Sequence, residues 1–231
     1  MMTTLLLRLA GPMQSWGVQS RFEIRDTTSE PSKSGVVGLI CAALGRDRAE
    51  PIDDLAALRM GVRVDREGQV RRDYQTALGV AIASGGKLKE CQPSNRYYLA
   101  DARFLVGLES ADRELLERID AALRDPFWPI FLGRKSFVPS EPVHLAGPGV
   151  RELPLLDALR GHPVVPDVKG KKPGSHRYVI ENDADPSESS AARLTRPDQP
   201  ISFEPRRFGL RQVDIYTMPS SQPTEAENVS E

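Results

Sequence analysis

The order in which hydrophobic periods succeed one another constrains this chain more than any single motif. TTLLLRLAG (3–11) is short and apolar and is stopped by Gly11-Pro12, the pattern of a buried strand. In PSKSGVVGLICAALG (31–45) the period lengthens. Val36, Leu39, Ile40, Ala43 and Leu44 fall on one helical stripe, with Ser32 or Ser34 as N-cap and Gly45 as the stop. RMGVRVDR (59–66) alternates Met60, Val62 and Val64 with charged neighbours, which predicts a half-buried strand. ARFLVGLES (102–110) reads as another apolar strand. ADRELLERIDAALRD (111–125) reads as a helix with Leu115, Leu116, Ile119, Ala122 and Leu123 inward and Ser110 as its cap. A fourth strand is expected near EPVHLAG (141–147). The resulting β-α-β-β-α-β order is that of a ferredoxin-like domain in an α+β fold. That fold hosts many functions and selects none.

One segment interrupts this order. EGQVRRDYQTALGVAIASGGKLKECQPSNRYYLAD (67–101) is strand-like at both ends and broken near its middle by Gly85-Gly86 and two lysines. Its middle has no apolar stripe of its own, so a β-hairpin arm projecting between core elements is expected. The predicted organisation is therefore a domain over 1–147 carrying the arm, a smaller β-rich part over 148–216, and an acidic tail over 217–231. That tail is polar, holds three glutamates and lacks periodicity, so it reads as disordered.

The charge balance, 31 basic against 32 acidic residues, excludes a protein that is basic all over. Any nucleic-acid surface must be local and offset elsewhere. Cys41 and Cys91 lie fifty residues apart, and His144, His162 and His176 are scattered, so local spacing assembles no metal site. No cofactor is expected. The chain shows no export signal and no membrane-length apolar run, so a reduced, cytoplasmic setting is expected.

Four places could carry chemistry. PSKSG combines a helix start, Lys33 and two serines, an arrangement that suits an anion as well as it suits ordinary capping. A Walker A loop is excluded, because Thr27 and Ser32 stand where that motif needs glycine. In FWPIFLGRKSFVPS (127–140), Gly133 lets backbone approach a ligand, and Arg134, Lys135 and Ser136 offer three kinds of phosphate contact. The arm carries Asn95, Arg96, Tyr97 and Tyr98 opposite Arg71, Arg72 and Tyr74; aromatic rings interleaved with arginines suit unpaired bases and their phosphates. DVKGKKPGSHRY (167–178) supplies Lys169, Lys171, Lys172 and Arg177 as a basic loop. No nucleophile elbow or zinc-protease motif is present.

LLLRLAGPMQSWGVQSRFEIRDTTSEPSKSGVVGLICAALGRDR (5–48), FLGRKSFVPSEPV (131–143) and FEPRRFGLRQVDIYTMP (203–219) resemble a CRISPR-associated family of the RAMP superfamily. These are the 5′-handle-binding subunits of Cascade surveillance complexes, and the likeness is to the type I-E form. The resemblance implies an RRM-like core with a protruding thumb that corresponds to the arm. It implies binding to the 5′ handle of the crRNA beside the backbone subunit CasC and the large subunit CasA, with the small subunit CasB as a further neighbour. Target DNA would be reached only through the complex. The RNA-contacting set it implies is Gln14, Ser15, Trp16, Arg25, Lys33, Ser34, Asn95, Arg96, Tyr97, Tyr98, Gly133, Arg134, Lys135 and Ser136. Type I-C relatives cleave precursor RNA with a tyrosine and an adjacent Lys-His pair. Here the three histidines follow Val143, Gly161 and Ser175, so that pair is missing. The resemblance therefore implies a non-catalytic RNA binder. A metal-independent endoribonuclease is the competing reading, since spatial constellations escape sequence spacing.

Overall fold

The computed structural model describes residues 2–18, 23–82, 85, 86, 88–164, 174–182 and 192–219. In chain order the elements are β1 (Thr3–Ala10), β2 (Met13–Gln14), β3 (Ile24–Arg25), α1 (Lys33–Leu44), α2 (Asp53–Ala56), β4 (Arg59–Arg66), β5 (Gln69–Val80) and β6 (Lys89–Ala100). They continue with β7 (Arg103–Ser110), α3 (Arg113–Arg124), β8 (Val150–Arg151), α4 (Leu155–Gly161), β9 (Ser175–Glu181), β10 (Ala192–Phe203) and β11 (Arg206–Pro219). The result is a mixed α+β fold whose sheets are mostly antiparallel.

The main sheet has the order β10-β11-β9-β4-β7-β1-β8. Strand alternation sends side chains to two different cores. On one face Leu5, Leu7 and Leu9 of β1 join Phe104, Val106 and Leu108 of β7 and Met60, Val62 and Val64 of β4 beneath α1 and α3. On the other, Leu6 and Leu105 meet Leu155 and Leu159 of α4. Short α4 seats closely because Gly61 and Gly107 are register partners beneath it. A Cβ on Gly107 would lie 2.6 Å from Leu155 Cδ1. Strands β9, β11 and β10 extend this same sheet from β4 outward. Helix α1 is capped by Ser32, whose hydroxyl accepts from the Gly35 amide, and it ends at left-handed Gly45. The cap of α3 is Asp112 rather than Ser110, its carboxylate accepting from the Leu115 amide at 2.9 Å.

Three expectations need correction. The segment 141–147 makes only one bridge, between Leu7 and His144, and the outer strand is β8 at 150–151. Pro142 has no N–H, and the left-handed Gly147 precedes a second proline, so the chain there serves the edge of β1 through single carbonyls. Val143 O accepts from the Arg8 amide and Gly149 O from the Leu6 amide. Arg63 is not solvent-facing: it is buried under α4, paired with Asp65 and donating to the carbonyls of Leu159 and His162. Finally, Thr217, Met218 and Pro219 belong to β11, pairing with Arg177, His176 and Ser175, so the expected tail is strand at its start. Residues 220–231 lie outside the described residues.

The arm is a hairpin. β5 and β6 pair antiparallel from Gln69–Ala100 out to Val80–Lys89, and β5 is exposed along nearly all its length. The other edge of β6 takes β2 and β3, so Leu99 lies between Gln14 and Val70, and Asn95 between Ile24 and Tyr74.

Candidate nucleic-acid interface

The stretch after β1 turns its two largest groups inward. Trp16 is 1% exposed, and its indole N–H donates to Gln14 Oε1 at 3.2 Å. Gln14, with no exposed surface, spends its amide N–H groups on the carbonyls of Leu9 and Ala102. Ser15 is buried too, with its hydroxyl on the carbonyls of Tyr97 and Asp26. The expectation that these side chains line an RNA cradle is corrected. Their polar atoms are satisfied internally, and the indole packs over Gly35 at the start of α1. They set the base of the arm against the core.

Lys33 is also corrected. It is 2% exposed, and its Nζ lies 2.8 Å from Glu181 Oε1. Its backbone N–H donates to Asp198 Oδ2 at 2.7 Å, so the anion at this helix start is the protein's own carboxylate. Arg211 closes the network through two hydrogen bonds to Asp198. Burial lowers the Lys33 pKa, and the Glu181 charge works against that shift. Ser34, beside it, is half-buried on α1.

Loop 131–137 has the opposite character. Gly133 adopts φ +91°, and a Cβ there would fall 1.7 Å from the Ser15 carbonyl oxygen. The backbone of this loop therefore lies directly on that of residue 15. Arg134 Nη2 donates to Tyr97 O at 2.8 Å and to Arg25 O at 3.3 Å, and its guanidinium carbon sits 5.3 Å from the Phe137 ring centre. Burial first, then the charge of Arg96 and more weakly that of Arg25, lower the Arg134 pKa. Lys135 and Ser136 are exposed beside it. Sequence reasoning missed Phe137 as the support under Arg134. Its place three residues on, within RKSF, was the available signal.

Strands β3 and β6 bring the arginines together. Arg25 and Arg96 are register partners, and Arg25 is exposed. Across β6, the pairs Arg72–Tyr97 and Tyr74–Asn95 share one face of the hairpin, and Arg71–Tyr98 and Asp73–Arg96 share the other. Tyr98 is engaged rather than free, with its ring 5.9 Å from that of Phe137. Tyr74, 62% exposed, is the open aromatic. Arg177 does not belong to this surface: it joins Glu30 to Glu67 as a structural tie. Lys169, Lys171 and Lys172 lie outside the described residues.

The histidines are occupied elsewhere. His176 is buried with Nδ1 3.1 Å from Val64 O, and burial pushes the His162 pKa down to about 4. Burial likewise raises the Cys41 thiol to about 11, which leaves it an inert hydrophobe. Among the described residues no three His, Cys, Asp or Glu side chains gather as a metal site, and no helix is long and apolar enough to cross a membrane.

A family model described as "CRISPR-associated protein (Cas_Cas5)" matches residues 4–214, nearly the whole chain. The chain belongs to the CRISPR-associated Cas5 family. Among relatives of this Cas5 chain is the CRISPR system Cascade subunit CasD of Escherichia coli (strain K12), 31% identical over 227 residues, 92% of this chain and 95% of that one. Two solved structures are similar. One, described as a crystal structure of a Cas protein, is 44% identical with a TM-score of 0.72, covering 94% of this chain and 95% of the other. The second, a chain of a CRISPR RNA-guided surveillance complex, is 31% identical with a TM-score of 0.76, covering 96% of this chain and 95% of that one.

Proposed function

We propose that this Cas5 chain is the non-catalytic subunit of a type I-E Cascade surveillance complex that binds the 5′ handle of the crRNA and caps the backbone filament. The observation that carries the reading is similarity to CasD over 92% of the chain combined with a basic crossing in which exposed Arg25 and Lys135 adjoin half-buried Arg96 and Arg134. Phosphates would meet Arg25, Arg96, Lys135 and Ser136, while Asn95, Tyr97 and neighbouring Tyr74 offer edges and faces to unpaired bases. Gln14, Ser15, Trp16, Lys33, Ser34, Tyr98 and Gly133 serve by shaping that surface from beneath or beside it. CasC and CasA are the expected neighbours, with CasB beyond them, and target DNA is engaged through the complex.

The strand order β8-β1-β7-β4, antiparallel throughout, with α1 and α3 as crossovers, supports a ferredoxin-like assignment for the core. The hairpin 69–100 is read as its thumb, and the strands after residue 147 as the β-rich extension. The absence of a Lys-His pair from the sequence supports the non-enzyme reading.

The test is binding and integrity of RNA together. The purified chain should hold a handle-bearing RNA more tightly than a shuffled RNA of equal length, and leave both intact in EDTA. Site-specific cleavage that survives EDTA and disappears on changing Tyr74, Tyr97 or a histidine would establish the endoribonuclease reading instead.

A further inference from the structure

We infer that Arg134 is a positioning residue, which ties the short strand β3 to the base of the arm so that Arg25 and Arg96 together present one binding place for an RNA backbone phosphate. The inference rests on the RNA-binding reading and deepens it.

The geometry runs through the main chain. Strand β3 is two residues long, and its parallel pairing to β6 consists of Ile24–Asn95 and Arg25–Arg96. Two exposed residues cannot hold their own register in water, because fixing each backbone unit costs about 1–2 kcal/mol of conformational entropy. The Asn95 amide supplies one further tie to Glu23 O at 2.8 Å. Arg134 supplies another from a different part of the fold. Both of its Nη2 hydrogens go to carbonyls, one on each strand: Arg25 O in β3 and Tyr97 O in β6. Those carbonyls flank the side chains of the paired arginines.

Arg134 is itself fixed. Its guanidinium lies over Phe137, which is buried. The preceding glycine has no slack against Ser15, and the Leu132 amide donates to Phe137 O at 2.7 Å. Rigidity of the core is thus carried into the crossing by one planar cation. Arg25 has no ion-pair partner among the described residues, and Arg96 bonds the Ser94 hydroxyl at 3.2 Å. Asp73 faces Arg96 across the hairpin and offsets part of this charge. With Arg134 beside them, the two arginines held in register outweigh it, and a phosphodiester group matches their donor geometry. A lysine at 134 keeps the charge but lacks the flat guanidinium that lies over Phe137 and so fixes the direction of both Nη2 hydrogens.

The experiment is a mutant cycle on the full chain with a synthetic 5′-handle RNA, read together with amide hydrogen exchange. Arg25→Ala should weaken binding about tenfold in the natural background and less than twofold once Arg134→Ala is present, the non-additivity expected of residues acting through one another. Arg134→Lys should fail to restore binding. In both Arg134 variants the amides of residues 24–26 and 95–97 should exchange faster without RNA, while the global melt moves little. Additive losses, full rescue by lysine, or unchanged exchange would each overturn the inference. Absence of any handle preference in the natural chain would instead overturn the RNA reading, and the exchange measurement would still decide the tie.

Discussion

PSKSG at 31–35 and GRKSF at 133–137 read alike: a Lys-Ser pair within two residues of a glycine, at the edge of a helix or turn. In the fold they are opposites. The first lies under the C-terminal strands, with its cation, its helix start and its serine cap all answered by the protein's own groups. The second lies on the surface, with Lys135 and Ser136 in solvent and Arg134 at the crossing of two strands. What separates them is the presence of Glu181 and Asp198 about 150 and 165 residues later. A basic motif announces a charge that needs a partner, and only the tertiary fold says whether that partner is internal.

The largest effect should come from Lys33→Ala. It leaves Glu181 buried against the Met60 amide with its nearest cation gone and only Arg211, 3.8 Å away and already bound to Asp198, beside it. Such a change costs roughly 3–5 kcal/mol for a buried pair broken on one side. Denaturant unfolding should show a large drop in midpoint. The double change Lys33→Met with Glu181→Gln should recover much of it, because Arg211 and Asp198 then remain as a balanced pair. A Lys33→Ala protein with natural stability and a reduced salt dependence of RNA binding would erase the comparison by making both motifs surface sites.

Gly133→Ala comes next. The added Cβ would collide with the Ser15 carbonyl, and φ +91° is strained for alanine, so the loop must move at a cost of about 1–3 kcal/mol. RNA affinity should fall along with stability, which distinguishes it from Lys33→Ala in one respect. The defect is local, so hydrogen exchange should rise in 131–137 and at the base of the arm before it rises in α1.

How much of this was legible beforehand follows the same division. Elements whose side chains answer to their own neighbours were readable: the stripes of α1 and α3, the apolar strands β1 and β7, and the arm with its glycine turn. The turn at Gly133 and the exposure of Lys135 and Ser136 were readable too, since a positive φ and exposure are local properties, but the close approach of Gly133 to Ser15 was not. Long-range satisfaction was not. Nothing near Gln14 foretells that its amide ends on the Ala102 carbonyl, nor near Lys33 that Glu181 awaits it. Strand β10 was missed because its two prolines and its charges hide a sheet edge that pairs along one side only. Arg63 looked solvent-facing from alternation alone, before α4 closed over it.

The two serines give a smaller, matched test. Ser32 caps α1 through the Gly35 amide, so Ser32→Ala should cost about 1 kcal/mol and leave RNA binding by the folded chain unchanged. Ser136 is exposed and has no such duty, so Ser136→Ala should stay within about 0.5 kcal/mol in a melt. Equal losses at both positions would mean that the 133–137 loop is as deeply built into the fold as the helix start.

Lys135→Ala should have the smallest effect on the protein and the clearest one on its ligand. The side chain is exposed and makes no ion pair among the described residues, so thermal stability should not change measurably. Each phosphate neutralised on a single strand contributes about 0.7 to the slope of log affinity against log salt. Removing Lys135 should therefore flatten that slope by about this amount and weaken binding most at low salt, where counterion release is most favourable. The loss should be similar for RNAs of different sequence, because a phosphate contact carries no base information. An unchanged slope would place Lys135 outside the RNA path and shift the phosphate contacts towards Arg25 and Arg96. A sequence-dependent loss would show that the lysine reads a base edge, a role that neither its position nor its neighbours suggest.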